Sequence, residues 1–241
     1  MQMLHVQDLV VGHDSNPVAA GPAKPAATGL RPMAAVAPVG GGAKRALDIG
    51  LVILGLLLLW PLILGLVVVL KLTDPGPVLY GHRRIGFRGR EFRCWKFRTM
   101  VVDGDAVLER HLRENPADAA IWAEQRKLVN DPRVTCVGAV LRKLSLDELP
   151  QLLNVIKGEM SLVGPRPVVQ AELNQYAGSA RHYLAARPGL TGLWQISGRS
   201  DTTYAERVRL DRFYVTNWNL WRDLRIIFLT IPAVALSRGA H

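Results

Sequence analysis

The sequence predicts an α+β protein, mostly helical, in which a membrane segment precedes a small β-hairpin and a basic domain. Three observations carry this. Leu51–Leu70 is a charge-free run with Pro61 near its middle. Residues 73–100 are short in period and rich in Pro and Gly, a pattern of strands and turns. Beyond them, helical patterning dominates.

The elements follow in order. Residues 1–43 are rich in Ala, Pro and Gly. Such a segment buries too little apolar surface to offset its chain entropy, so a disordered tail is expected. It lacks the basic start and apolar stretch of a signal peptide. Residues 44–72 hold the membrane segment. About twenty apolar residues suffice to cross a bilayer. Pro61, however, removes a helical hydrogen bond and clashes with the preceding turn, so a kink or break is expected there. Basic residues flank both ends: Lys44 and Arg45 before the run, Lys71, Arg83 and Arg84 after it. Basic flanks favour the cytoplasmic side, and here both ends ask for it. A spanning helix and a re-entrant one, entering and leaving by one leaflet, both remain open on these residues. No Ser or Thr lies in the run to satisfy carbonyls freed at a break.

Residues 73–241 form the remaining domain. Val78–Tyr80 and Glu91–Phe97 read as a hairpin. Ala106–Lys127 reads as two helical pieces broken at Pro116, Val137–Lys143 as a short helix or strand, and Asp147–Ile156 as a helix. Glu206–Leu236 reads as one or two more helices. Phe213, Tyr214, Trp218 and Trp221 there are interleaved with Arg222 and Arg225. Amphipathic rings beside cationic stems suit a headgroup boundary or an ordinary core helix.

Composition narrows the partners. The formal net charge is +10. Nucleic acid, anionic lipid and phosphorylated substrates are the usual partners of such a surface, and the apolar run favours lipid over nucleic acid. Cys94 and Cys136 are far apart and without metal-ligand spacing, as expected of reduced thiols. No HExxH, P-loop, dinucleotide fingerprint or nucleophile elbow occurs.

Three constellations remain. Asp147 and Glu148 follow Ser145 in a capping-box pattern, and Pro150 also marks a helix start, so the pair reads as helix punctuation. A helix start is equally a place for phosphate, where two carboxylates serve as nucleophile and metal ligand. Gly164-Pro165-Arg166-Pro167 is a rigid turn presenting one guanidinium whose planar fork matches a phosphate edge. Asp103-Gly104-Asp105 reads either as a turn and helix cap or as a cation-binding D-x-D pair of a metal-dependent glycosyltransferase.

Four blocks then occur in order: Lys96-Phe97-Arg98-Thr99-Met100; Leu141-Arg142 with Ser145–Gln151; Met160–Pro167; and Arg187–Gln195. In these the chain resembles the bacterial sugar transferases that are monotopic phosphoglycosyl transferases, of the short exopolysaccharide-initiating type. The resemblance covers residues 44–236. It implies transfer of a sugar 1-phosphate from a UDP-sugar to polyprenyl phosphate, with release of UMP. It implies Asp147 as nucleophile, Glu148 as ligand of Mg²⁺, and Arg142 and Arg166 as phosphate-binding. It also implies a re-entrant helix broken at Pro61, amphipathic interface helices, and a catalytic domain at the cytoplasmic face of the bacterial inner membrane. One departure is that Trp60 precedes the proline where the family often has Ser. A non-enzymatic membrane scaffold is the remaining rival, the sugar is unspecified, and homo-oligomer formation is left open.

Overall fold

The computed structural model describes residues 37–125, 128–197 and 203–235; the tail expected over residues 1–43 lies outside them up to residue 36. Helix α1 spans Gly41–Thr73, with Gly40 at its N-cap in the left-handed region (φ 83°), where glycine is strain-free. It therefore begins three residues before the expected boundary. Only 6% of its most apolar window is buried, so it is not the core helix of a globular domain.

The buried and half-buried residues of α1 recur at helical spacing. Lys44, Asp48, Val52 and Leu70 are buried. Leu56 packs on a cluster containing Phe92, Leu152, Val155 and Met160, while Ile63, Leu66 and Val67 pack on Phe97 and Leu141. Leu57, Leu58, Trp60 and Leu64 stay exposed. One stripe thus meets the domain and the rest is bare hydrocarbon.

Pro61 corrects the sequence reading in degree. It lies inside α1, with helix on both sides, rather than between two helices. Its fixed φ is in the helical range, so a helix set on both flanks carries it by forgoing one bond, to the Leu57 carbonyl, at about 3 kcal/mol or more. Both ends of α1 are held by the same folded unit. At the start, Lys44 Nζ lies 2.6 Å from Asp223 Oδ2, and Arg45 donates to the carbonyls of Val155 and Ile156. At the end, Asp74 pairs with Arg98 at 3.1 Å.

Strands β1 (Leu79–Ile85) and β2 (Glu91–Phe97) form the antiparallel hairpin, Leu79 opposite Phe97. Here β1 is longer than expected, because Gly81, His82 and the two arginines pair through the ladder although their side chains carry no apolar alternation. Helices α2 (Gly104–Glu114) and α3 (Pro116–Gln125) meet at Pro116 as expected. Helix α4 spans Cys136–Lys143, its Thr135 cap accepting from the Gly138 amide. A single 3₁₀ turn, Leu146–Glu148, leads to α5 (Gln151–Lys157).

The parallel pair β3 (Ser161–Val163) and β4 (Gly189–Thr191) escapes sequence reading because each strand is only three residues long. Helices α6 (Gln170–Asn174), α7 (Ala180–Leu184), α8 (Leu193–Ile196), α9 (Tyr204–Thr216) and α10 (Leu220–Ala235) complete the domain. On α10, Trp221, Leu224, Phe228 and Ile231 are exposed at spacings of one helix face, while Asp223 and Ile226 on the other are buried. That is the amphipathic helix expected at the C-terminus.

Candidate active site

Alternation along β2 puts Lys96 on the face of buried Phe92 and Cys94, pointing into the domain. Its ammonium meets two carboxylates: Nζ is 3.2 Å from Asp147 Oδ2 and 2.8 Å from Glu148 Oε1. Asp147 is 7% exposed. The turn that carries the acids is reached through Ser145, a non-glycine residue at φ 56°. Such a backbone costs energy and is held only where the surroundings impose it. The Ser145 side chain makes no capping bond, and α5 starts only at Gln151. The capping box expected from the sequence therefore does not form, and the acids are not helix punctuation.

The electrostatics follow from this geometry. Burial pushes the Asp147 carboxyl above its ordinary range; the Lys96 charge opposes that, Glu148 adds to it, and Arg142 works against it. Burial alone would lower Lys96, but the charges of Glu148 and Asp147 outweigh it and hold the ammonium above its usual value. The result is a cation fixed between two anions in a poorly solvated place.

Arg142 sits in the last turn of α4. Its Nε donates to Thr99 Oγ1 at 2.8 Å, and its Nη groups have no hydrogen-bond partner among the described residues. The helix can come this close because residue 138 is glycine: a Cβ there would lie 2.1 Å from the Thr99 carbonyl oxygen. Arg166 projects from the turn after β3. Its guanidinium carbon stands 5.5 Å from the Trp194 ring centroid, and its charge reaches Lys96. No hydrogen-bond acceptor for it occurs among the described residues. Arg207 stands on the same indole at 5.1 Å, with Tyr204 at 5.4 Å and Glu172 Oε1 at 3.9 Å.

Asp147, Glu148 and Arg142 are thus brought together as the sequence predicts, with Arg166 within electrostatic reach of their lysine. Asp103 and Asp105 are exposed at the start of α2, and Asp103 caps nothing with its side chain. No group of three or more His, Cys, Asp or Glu suited to a metal occurs among the described residues. In the sequence Lys96 and Thr99 stand out only as parts of the block Lys96–Met100. The signal that singles out Lys96 is a lysine at an inward position of an alternating strand.

The donor set fits a magnesium ion in one way. The Glu148 carboxylate is a hard oxygen donor of the kind such an ion takes, whereas the point between Asp147 and Glu148 is held by the Lys96 ammonium. Magnesium takes one or two carboxylates and completes its shell with substrate phosphate oxygens and water.

A family model described as bacterial sugar transferase matches residues 40–237. The exopolysaccharide production protein ExoY of Rhizobium meliloti (strain 1021) is 60% identical over 207 residues, 86% of this chain and 92% of that one. The undecaprenyl-phosphate galactose phosphotransferase of Salmonella typhimurium is 50% identical over 199 residues, 82% of this chain and 41% of its own length. The UDP-glucose:undecaprenyl-phosphate glucose-1-phosphate transferase of Caulobacter vibrioides is 42% identical over 206 residues, 82% of this chain and 72% of that one.

Proposed function

The chain belongs to the bacterial sugar transferase family, and on that premise we propose that it moves a sugar 1-phosphate from a UDP-sugar to a polyprenyl phosphate. The products are UMP and a polyprenyl diphosphate sugar, the first lipid-linked intermediate of an exopolysaccharide. The observation that supports this best is the buried carboxylate Asp147, paired with Lys96 beside Glu148, close to two guanidinium groups with unengaged N–H donors.

The route has two displacements. A carboxylate oxygen of Asp147 attacks the β-phosphorus of the UDP-sugar, and the bond from that phosphorus to the bridging oxygen breaks. UMP leaves with the electron pair, and the phosphosugar stays on Asp147. An oxygen of polyprenyl phosphate then attacks the same phosphorus and displaces the carboxylate. Splitting one displacement into two is the usual gain of a protein nucleophile. Lys96 keeps Asp147 ionised against its burial. Arg142 and Arg166 bind the phosphate oxygens on which charge is held during transfer, the largest contribution to such chemistry. Glu148 would hold Mg²⁺, which would supply charge neutralisation at the phosphoryl group.

The setting suits the substrates. A helix crossing a hydrocarbon core of about 30 Å once would carry its ends to opposite faces. Here one folded unit binds Lys44 and Asp48 at one end of α1 and Asp74 at the other. This supports a helix that dips into one leaflet, the cytoplasmic one of the bacterial inner membrane, and returns. The domain then receives one substrate from water and the other from lipid.

The test is the identity of the released nucleotide. Full-length protein in phospholipid nanodiscs, given UDP-galactose or UDP-glucose without acceptor, is expected to release up to one equivalent of UMP. Protein labelled with the phosphosugar should accumulate in parallel. Release of UDP would instead assign a glycosyltransferase using Asp103 and Asp105. No release of either, with or without polyprenyl phosphate, would leave a scaffold.

A further inference from the structure

A second polar cluster lies outside the candidate active site, at the start of α1. Asp48, 1% exposed, points one carboxylate oxygen at strand β3. Its Oδ1 accepts from the Leu162 amide at 3.0 Å and from the Ser161 hydroxyl at 3.1 Å. The need for this is topological. Strand β3 has a partner, β4, on one edge only. On that edge Ser161 donates to Pro188 and Gly164 to Thr191. The other edge would leave the Leu162 amide and the Val163 carbonyl buried without partners, which costs about 1–3 kcal/mol for each group. Side chains close it instead. Asp48 from α1 takes the amide, and two hydroxyls stand against the Val163 carbonyl, that of Ser161 at 3.0 Å and that of Tyr214 of α9 at 3.1 Å.

The three residues after β3 are Gly164, Pro165 and Arg166. The connection is short and stiff. Gly164 lies so close to β4 that a Cβ on it would fall 2.4 Å from the Arg187 carbonyl oxygen, and Pro165 accepts from the Gly189 amide at 2.8 Å. Shifting β3 along its edge therefore carries the Arg166 backbone with it.

We infer that Asp48 is a positioning residue for Arg166: it ties the start of the membrane helix to the strand that presents the phosphate-binding guanidinium. This rests on Arg166 having the role given above. The bland alternative is that Asp48 merely fixes α1 to the domain, as Lys44 does through Asp223.

The two are separated by a double-mutant cycle on full-length protein in nanodiscs, reading kcat/KM for the UDP-sugar from single-turnover UMP release, with thermal stability measured alongside. Asp48→Ala is expected to lower kcat/KM about tenfold, as is Arg166→Lys, since each leaves a transition-state phosphate contact misplaced. In the Arg166→Lys background, Asp48→Ala should then cost less than about threefold, because the contact it serves is already spoiled. Asp48→Asn keeps the Oδ1 acceptor and should restore turnover to within about twofold of the native chain. Where Asp48→Ala does not fold, Ser161→Ala carries the cycle, with a loss of a few fold that vanishes in the Arg166→Lys background. Losses that multiply in full across the cycle, or a lowered melting temperature with kcat/KM unchanged, would overturn the inference. If Arg166→Lys turns over normally by itself, the role of Arg166 fails first and the positioning of it falls too.

Discussion

The molecule holds two clusters of the same composition, one lysine with two carboxylates. At the start of α1, Lys44 meets Asp223, with Asp48 one turn along the same helix face. On β2, Lys96 meets Asp147 and Glu148. They differ in how completely the lysine-paired aspartate is taken up, Asp223 in one and Asp147 in the other. Besides Lys44, Asp223 accepts from the Tyr214 hydroxyl and the Trp218 indole, so both of its oxygens are engaged; Asp48 takes a backbone amide and a hydroxyl on Oδ1, while its Oδ2 is buried without a partner among the described residues. Asp147 has only Lys96 as a side-chain partner among the described residues. The Lys44 and Asp223 side chains are 8% and 1% exposed; Lys96 and Glu148 are 32% and 26%. A carboxylate surrounded by donors and sealed from water is a fastener. Asp147 is tied to a single cation beside partly exposed partners, and on the proposed route its remaining oxygen is the one that reacts.

Identical substitutions in the two clusters sharpen that contrast. The largest difference is expected for Asp→Asn. Asp147→Asn should reduce UMP release on the order of a thousandfold or more while the protein stays folded, because an amide does not attack phosphorus usefully. Asp48→Asn, which keeps an acceptor, should leave most of the activity. Equal tolerance at both positions would mean that Asp147 is a cap or spacer after all.

Removing each lysine comes next. Lys44→Met strands Asp223 as a buried, unpaired charge, and breaking such a pair costs about 3–5 kcal/mol. For a domain of this size that is a fall in melting temperature of roughly 6–20 °C. Lys96→Met should cost less, about 1–3 kcal/mol, because Lys96 and Glu148 keep some access to water although Asp147 is buried. A larger stability loss at Lys96 than at Lys44 would reverse the assignment of the two clusters.

The smallest effect is a displacement in pH. Burial already holds the Asp147 carboxyl above the usual range, and the positive charge of Lys96 restrains it. On the proposed route activity needs the carboxylate, so the acid limb of kcat/KM should lie above an ordinary aspartate's. Removing the restraining charge raises the carboxyl further, so Lys96→Met should move that limb to higher pH. A limb that stays put, or moves down, would show that another group controls it.

Much of this was legible in the chain. The apolar run of α1, the strand of β2 and the hinge at Pro116 follow from local pattern and proline geometry. The pair Asp147-Glu148 was legible as chemistry only with its neighbours. Alone, Ser145 and Pro150 argued for a helix cap, and it took the left-handed Ser145 backbone to move the acids into a separate turn. What stayed hidden is what depends on distant partners. Three-residue strands such as β3 and β4 have no period to detect, and a lysine in a strand announces nothing until its face is known. Asp48 sits at the edge of an apolar helix, and its partner Leu162 lies 114 residues away.

That separation has a consequence for how the protein is made. The apolar helix leaves the ribosome before any of the groups that fasten its start. Lys44 waits for Asp223, 179 residues later. At about 5–20 residues per second, this is an interval of roughly ten to thirty-five seconds. During it, Lys44 has no carboxylate partner, although Arg45 and Asp48 find theirs once residues 155–162 are made. Asp48 can close on β3 once residue 162 has been made, but Lys44 waits for α10, so a chain cut short before residue 223 never completes the start of the helix. Closure of the helix start thus depends on one of the last elements of the chain to be made.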